Sequence, residues 1–193
     1  MKIIFCTQNK HKVQEVARIA NKHLEFIPMN EAGFTQDIPE PFDTLEENAR
    51  TKAETVYNFC LTPCFSEDSG LFVEALHGKP GVRSARYAGP QAQSSDNIEL
   101  LLGRLEDQSN RKAYFKTVIA FCYEGKTIYF SGECHGHIID TPHGVDGFGY
   151  DPIFIPDGDT RTFAEMSLDE KNQYSHRRKA VDAFLEYLNA NFN

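Results

Sequence analysis

Two β-rich runs, residues 113–123 and 127–139, are separated only by Glu124-Gly125-Lys126. A link that short joins antiparallel neighbours, because a parallel pair needs a crossover of a dozen or more residues. Gly125 supplies the backbone freedom that a tight hairpin turn requires. The chain must therefore build its sheet around one long hairpin.

Elsewhere strands and helices alternate. Residues 2–6 and 24–27 read as short strands. Between them Val13, Val16, Ala17 and Ala20 recur at helical spacing. Residues 31–43 are loop-like, with Pro39 and Pro41 flanking Glu40. Thr44 and Glu47 form a capping box ahead of a helix whose stripe is Leu45, Ala49, Ala53, Val56 and Cys60. A strand over 64–66 is expected to end in Glu67-Asp68-Ser69-Gly70. Another helix covers about 96–105, and a last one starts near Ser175 and buries Ala180, Val181, Phe184, Leu185 and Leu188. This order, with one antiparallel hairpin, gives an α/β or α+β sheet fold.

The 193 residues suit one domain, or one domain with two lobes. The formal charge of −8 argues against general nucleic-acid binding, which rests on neutralising phosphates with Lys and Arg. A small polyphosphate needs only a local basic cluster and a divalent cation. The five cysteines are scattered, which reads as small buried hydrophobes of a reduced, cytoplasmic protein. In Cys134-His135-Gly136-His137, strand alternation is preferred to a metal site, since no second ligand pair follows at zinc-like spacing. No apolar run approaches the ~20 residues of a membrane span.

Four places carry candidate chemistry. The turn Thr7-Gln8-Asn9-Lys10-His11-Lys12 leads from strand to helix, where backbone N–H groups and the helix dipole favour phosphate. It lacks the glycines of a Walker A loop, and an ordinary exposed helix start fits the pattern equally well. In the last helix His176, Arg177, Arg178 and Lys179 follow Ser175 directly. Positive charge in a first turn opposes the dipole, so these residues call for an anion or a carbonyl-rich ligand, or else form a solvated face. Glu67-Asp68-Ser69-Gly70 offers carboxylates for Mg²⁺, with Glu40 as a second ligand; the competing reading is an Asx-type turn. Finally, Gly144-Val145-Asp146-Gly147-Phe148-Gly149-Tyr150-Asp151-Pro152 reads as a loop that approaches a ligand, with Phe148 able to stack on a base. The alternative is a tight turn with a core aromatic. Asn48 and Lys52, four residues apart, share a helix face, and the lysine could reach a phosphate or stand at the surface.

In combination these runs resemble the ITP/XTP pyrophosphatase family, also called Ham1 or RdgB-like. The matching pieces are Thr7-x-Asn9-x-x-Lys12, Glu47-Asn48-Ala49-x-x-Lys52-Ala53, Glu67-Asp68-Ser69-Gly70-Leu71, Gly78-x-Pro80-Gly81-Val82-x-Ser84-Ala85-Arg86-Tyr87, Gly147-Phe148-Gly149-Tyr150-Asp151-Pro152-Ile153-Phe154, Thr162-x-Ala164-Glu165-Met166, and Lys171 with Ser175-His176-Arg177. They keep the family's order along almost the whole chain.

The resemblance implies a two-lobed mixed α/β fold with a long central sheet and an active-site cleft between lobes, residues 1–193 forming one pyrophosphatase domain. It implies a homodimer and Mg²⁺-dependent hydrolysis of ITP, dITP and XTP to the monophosphate and pyrophosphate. By the same resemblance Thr7, Gln8, Asn9, Lys10, His11 and Lys12 would hold the triphosphate, with Lys52 adding charge. Glu40 and Asp68 would bind metal, or Asp68 would act as general base, and Ser69 would contact substrate. Phe148 would stack on the purine, with Gly149, Tyr150 and Asp151 completing the pocket, while Lys171, His176 and Arg177 read the base edge. Hypoxanthine and xanthine present a carbonyl at C6 where adenine presents an amino group. A donor such as Arg177 would be left unpaired by adenine, and sites of that kind can discriminate by ~10⁴-fold. Glu67 stands where many members have Asp, which keeps the charge and lengthens the reach. Two alternatives are a house-cleaning enzyme for other modified nucleotides, with a different base pocket, and a non-catalytic nucleotide-binding protein. The presence of Glu40, Glu67 and Asp68 counts against the latter.

Overall fold

The structure, a computed structural model, describes residues 1–7, 13, 16 and 24–192. Its strands are β1 (Lys2–Phe5), β2 (Glu25–Pro28), β3 (Cys64–Val73), β4 (Pro80–Gly81), β5 (Lys112–Tyr123), β6 (Lys126–Ile138) and β7 (Phe154–Pro156). Beyond the helical Val13 and Val16, the α-helices among the described residues are α1 (Leu45–Cys60), α2 (Ser94–Leu105), α3 (Leu168–Tyr174) and α4 (His176–Asn191). The strands form one mixed sheet in the order β2-β1-β3-β5-β6-β7, with β4 on β3. β1 runs parallel to β2 and β3, while β4 is antiparallel to β3 and β7 to β6. The mixed α/β class expected from the residue pattern is the one observed.

The hairpin turn consists of Glu124 and Gly125, with φ of 49° and 72°. Two consecutive left-handed residues are what a two-residue turn needs to match strand twist. Along β6, Cys134 and Gly136 are buried and His135 and His137 are exposed, the alternation of a half-buried strand. β3 differs from expectation. It does not stop at Ser66 but continues through Glu67-Asp68-Ser69-Gly70 to Leu71 and Val73, both fully buried. Sheet pairing and the burial of those two residues override the turn propensity of Asp, Ser and Gly.

The chain divides into two compact units. One comprises Met1–Asp68, Val118–Ser131 and Lys179–Asn193, and the other comprises Ser69–Thr117 and Gly132–Arg178. The core of the first gathers Ile3, Phe5, Phe26, Phe65, Phe121 and Phe184. Phe5 stacks on Phe65 with centroids 4.2 Å apart, and Phe65 meets Phe184 at 4.8 Å. Val13 and Val16, both helical and buried, join this cluster. Ala17 and Ala20 of the same expected stripe lie outside the described residues. Ala180, Val181, Phe184, Leu185 and Leu188 of α4 are buried here, as their spacing requires.

The second unit packs Ile98, Leu101 and Leu105 of α2 with Phe115, Phe154 and Phe163. With no tryptophan in the chain, phenylalanine supplies the large apolar surface of both cores.

Candidate active site

In the first unit, α1 positions an acidic centre. Thr44 caps the helix by accepting from the Glu47 amide at 3.2 Å. The Glu47 carboxylate takes the Thr44 hydroxyl at 2.7 Å, so the expected pair does interact. Asn48 is fully buried and is a staple, not a surface residue. Its Oδ1 accepts from the Phe42 amide at 3.0 Å, and its Nδ2 donates to the Phe42 carbonyl at 3.1 Å. That grip fixes the loop carrying Glu40 against the helix.

β3 is clipped to α1 from its own side. The Ser66 hydroxyl donates to the Ala49 carbonyl at 2.5 Å, and the Cys64 thiol donates to the Ala53 carbonyl at 3.0 Å. Cys64, Ser66 and Asp68 alternate along one face of the strand. Asp68 is thereby delivered beside Lys52. The Lys52 ammonium donates to Glu40 Oε1 at 2.6 Å and to the Glu67 carbonyl at 2.9 Å, and lies 3.5 Å from Asp68 Oδ1. The side chains of Lys52 and Asp68 are 13% and 12% exposed.

Burial pushes the Asp68 carboxyl up from 3.8 to about 6. Lys52 opposes that shift and Glu40 adds to it. Asp68 Oδ2 is buried with no hydrogen-bond partner among the described residues. A buried carboxylate oxygen left in that state costs free energy unless a cation or a water completes it.

The donors here are all oxygens, which fits a hard divalent cation. Among the described residues, no group of three or more His, Cys, Asp and Glu side chains gathers around a possible metal position. A cation would thus rest on one or two carboxylates plus water and phosphate oxygens, the usual condition of Mg²⁺.

The second unit assembles an aromatic and basic centre on the glycine-rich loop. Phe148 is 63% exposed, so it is not the core aromatic of a tight turn. The Lys171 ammonium lies 4.8 Å from its ring centroid and the Arg177 guanidinium 5.6 Å. Asp151, buried beneath, accepts from the Phe148 amide at 2.8 Å and from Lys171 at 2.5 Å. Gly147 has φ of 84°, and a Cβ there would strike Asp151 Oδ2. Glycine is therefore required for Asp151 to reach the Phe148 amide.

Tyr150 is buried, and its hydroxyl donates to the Ser84 carbonyl at 2.9 Å. His176 is buried with its ring stacked on Phe115 at 4.9 Å. Ser175 caps α4 by accepting from the Arg178 amide at 3.3 Å, which leaves His176 and Arg177 in the first turn. Ser69 pairs its hydroxyl with that of fully buried Thr117 at 2.7 Å.

Other residues support the site, among them two that the resemblance matches without a role. Thr162 and Glu165 form a capping box, and the Thr162 hydroxyl donates to the His143 carbonyl at 2.9 Å. The Ala164 carbonyl accepts from the amides of Val145 and Asp146. This short motif braces the glycine-rich loop, and its T-x-x-E pattern was the available signal. Thr117 left no such signal.

A cavity of ≈ 880 Å³ opens between α2 and the same loop, walled by Ile98, Leu102, Val145 and Phe148 among others. Phe148 and Gly149 are the expected site residues that line it. It therefore borders the aromatic centre and does not mark the acidic one. Thr7 lies just beyond β1, its carbonyl accepting from the Met29 amide at 3.3 Å. Gln8, Asn9, Lys10, His11 and Lys12 fall outside the described residues.

The first unit thus presents a carboxylate pair with a captive lysine, and the second an exposed ring flanked by cations, each a kind of chemistry that a nucleotide hydrolase uses. The Ham1 family model matches residues 3–187, and the chain belongs to that family. It is 45% identical to the dITP/XTP pyrophosphatase of Christiangramia forsetii over 188 residues, covering 97% of this chain and 99% of that protein. The dITP/XTP pyrophosphatase of Porphyromonas gingivalis is also 45% identical, with 97% of each chain covered. The structure of the Staphylococcus aureus Ham1 protein superposes with a TM-score of 0.94 at 35% identity, covering 98% of this chain and 99% of that one.

Proposed function

We propose that this protein hydrolyses the non-canonical purine nucleotides ITP, dITP and XTP to the monophosphate and pyrophosphate. The observation that carries the reading is Asp68, a buried carboxylate with one oxygen unsatisfied among the described residues and a pKa raised to about 6. General bases and metal ligands are tuned in just this way. Residues 1–193 act as one pyrophosphatase domain.

Thr7 and the following residues to Lys12, with Lys52, bind the triphosphate. Asp68 and Glu40 would hold Mg²⁺, which when bound neutralises phosphate charge and lowers the pKa of a coordinated water. Asp68 orients or deprotonates the attacking water, and Ser69 contacts the substrate. Phe148 stacks on the purine, above the Asp151–Lys171 pair, with Gly149 and Tyr150 shaping the loop. His176 and Arg177 read the base edge. Arg177 donates to the C6 carbonyl of hypoxanthine or xanthine, a donor that adenine leaves unpaired. The protein works as a homodimer in the cytoplasm. Among the described residues, no helix is long and apolar enough to cross a membrane.

The test is product analysis of ITP, ATP and GTP incubated with purified protein, with and without Mg²⁺. The reading requires IMP and pyrophosphate from ITP, little reaction of ATP or GTP, and silence without metal. IDP with orthophosphate, or equal use of ATP, would refute it.

A further inference from the structure

The acidic centre already contains a cation. The Lys52 ammonium touches Glu40 Oε1 at 2.6 Å and the Glu67 carbonyl at 2.9 Å, and stands 3.5 Å from Asp68 Oδ1. Two carboxylates and a carbonyl around the Lys52 ammonium form a cation site in its own right. Its walls are held in place by other contacts, namely Asn48 on the Phe42 backbone and Ser66 on the Ala49 carbonyl. The lysine is therefore seated in a prebuilt oxygen cage.

We propose that Lys52 is the resident counter-cation of this cage, and that its ammonium and a divalent metal ion exclude one another there. The inference rests on the metal role given to Glu40 and Asp68 above. Both cations need the same oxygens, and like charges a few Å apart repel strongly where water is scarce. For a metal ion to enter, the lysine must swing out and find another anion. The triphosphate is that anion. Lys52 thus serves two states, closing the acidic pair before substrate arrives and turning to phosphate afterwards. Metal and nucleotide then bind with positive coupling, and the substrate-free protein holds divalent metal weakly.

The test measures metal binding without nucleotide. Mn²⁺ is titrated into the wild-type protein and into Lys52→Met, with free Mn²⁺ followed by electron paramagnetic resonance. The variant should bind Mn²⁺ on the order of tenfold more tightly, the usual scale of coupling between two sites. Mn²⁺ should also raise the melting temperature of Lys52→Met more than that of the wild type. Adding Glu40→Gln to the variant should reverse the gain, which assigns it to the cage. Equal or weaker Mn²⁺ binding by Lys52→Met overturns the proposal. Should that variant prove insoluble, Lys52→Gln, neutral and of similar reach, answers the same question. Wild-type turnover of ITP with Mg²⁺ is measured alongside. Its absence would refute the proposed function while leaving the metal competition as measured.

Discussion

Breaking the pair beneath Phe148 gives the sharpest test of the aromatic centre. Lys171 and Asp151 meet at 2.5 Å with side chains only 13% and 4% exposed. Replacing Lys171 by Met keeps the apolar stem and deletes the charge. Asp151 then remains buried, with the Phe148 amide as its side-chain partner among the described residues. Loss of one member of a buried ion pair costs about 3–5 kcal/mol. The ammonium retains some solvent contact, which lowers the expectation to about 2–3 kcal/mol. Loss of the cation–π contacts to Phe148 and Phe163, at 4.8 and 5.2 Å, adds about 0.5–1 kcal/mol. For a chain of this size that total lowers the melting temperature by roughly 6–15 °C. Asp151→Asn isolates the charge, since its amide oxygen still accepts from the Phe148 amide. The double variant should be less damaged than the sum of the singles, with a coupling of about 2 kcal/mol. Thermal and denaturant unfolding of the four proteins measure it. Strict additivity, or a Lys171→Met loss under about 0.5 kcal/mol, would mean that the pair is not holding the loop.

Further outcomes are expected at Asp68, Arg177 and Phe148. Asp68→Asn should abolish hydrolysis of ITP while leaving the fold intact by circular dichroism. The acid limb of kcat/KM should fall at about pH 6, the raised value for Asp68, and a limb near 4 would contradict its burial. The linked stability runs the other way. With the folded pKa above the ordinary 3.8, Asp68 contributes stability that is present below pH 3.8 and lost as pH rises through about 6, so Asp68→Asn should flatten that part of the stability profile. Arg177→Ala should erode the preference for ITP over ATP by roughly tenfold or more, read as a ratio of kcat/KM values. Phe148→Ala should raise KM by about 5-fold to 100-fold for the loss of one base stack, yet barely change the melting temperature, since the ring is 63% exposed.

Much of the fold was legible because apolar periodicity dominates it. The hairpin, α1 and α4 follow from spacing; in α1 Leu45, Ala49, Ala53 and Val56 of the expected stripe are buried, whereas Cys60 at its end is only half-buried and Asn48, outside the stripe, is buried. β3 was read too short because Asp68-Ser69-Gly70 carries turn residues. Only pairing with its neighbours shows that Leu71 and Val73 continue the strand. α3, which carries Lys171, was missed although Ser167 and Glu170 form a complete capping box. At the site, the residue types were visible but their partners were not. Nothing local shows that Asn48 clasps the Phe42 backbone or that Asp151 turns inward to Lys171. One joins a helix to the loop before it and the other joins residues 20 apart, and no periodicity encodes either.

The placement of Asp68 depends on register as much as on residue type. Cys64 and Ser66 precede it at intervals of two, and both donate to carbonyls of α1 four residues apart, at Ala53 and Ala49. Two steps along a strand cover about 6.6 Å, close to the rise of one helical turn. The strand and helix therefore keep step, with each second residue of β3 meeting the next turn of α1. Lys52 and Asn48 keep the same interval on the adjoining helix positions. Carrying that spacing forward from Ser66 takes Asp68 toward the N-terminal turn of α1, and the long Lys52 side chain reaches it from mid-helix, its ammonium 3.5 Å away. A slip of one residue would turn Asp68 to the opposite face of the sheet and put Glu67 in its place. Small polar side chains at 64 and 66 thus set the register on which the acidic centre depends, a role that neither their size nor their chemistry would suggest in isolation.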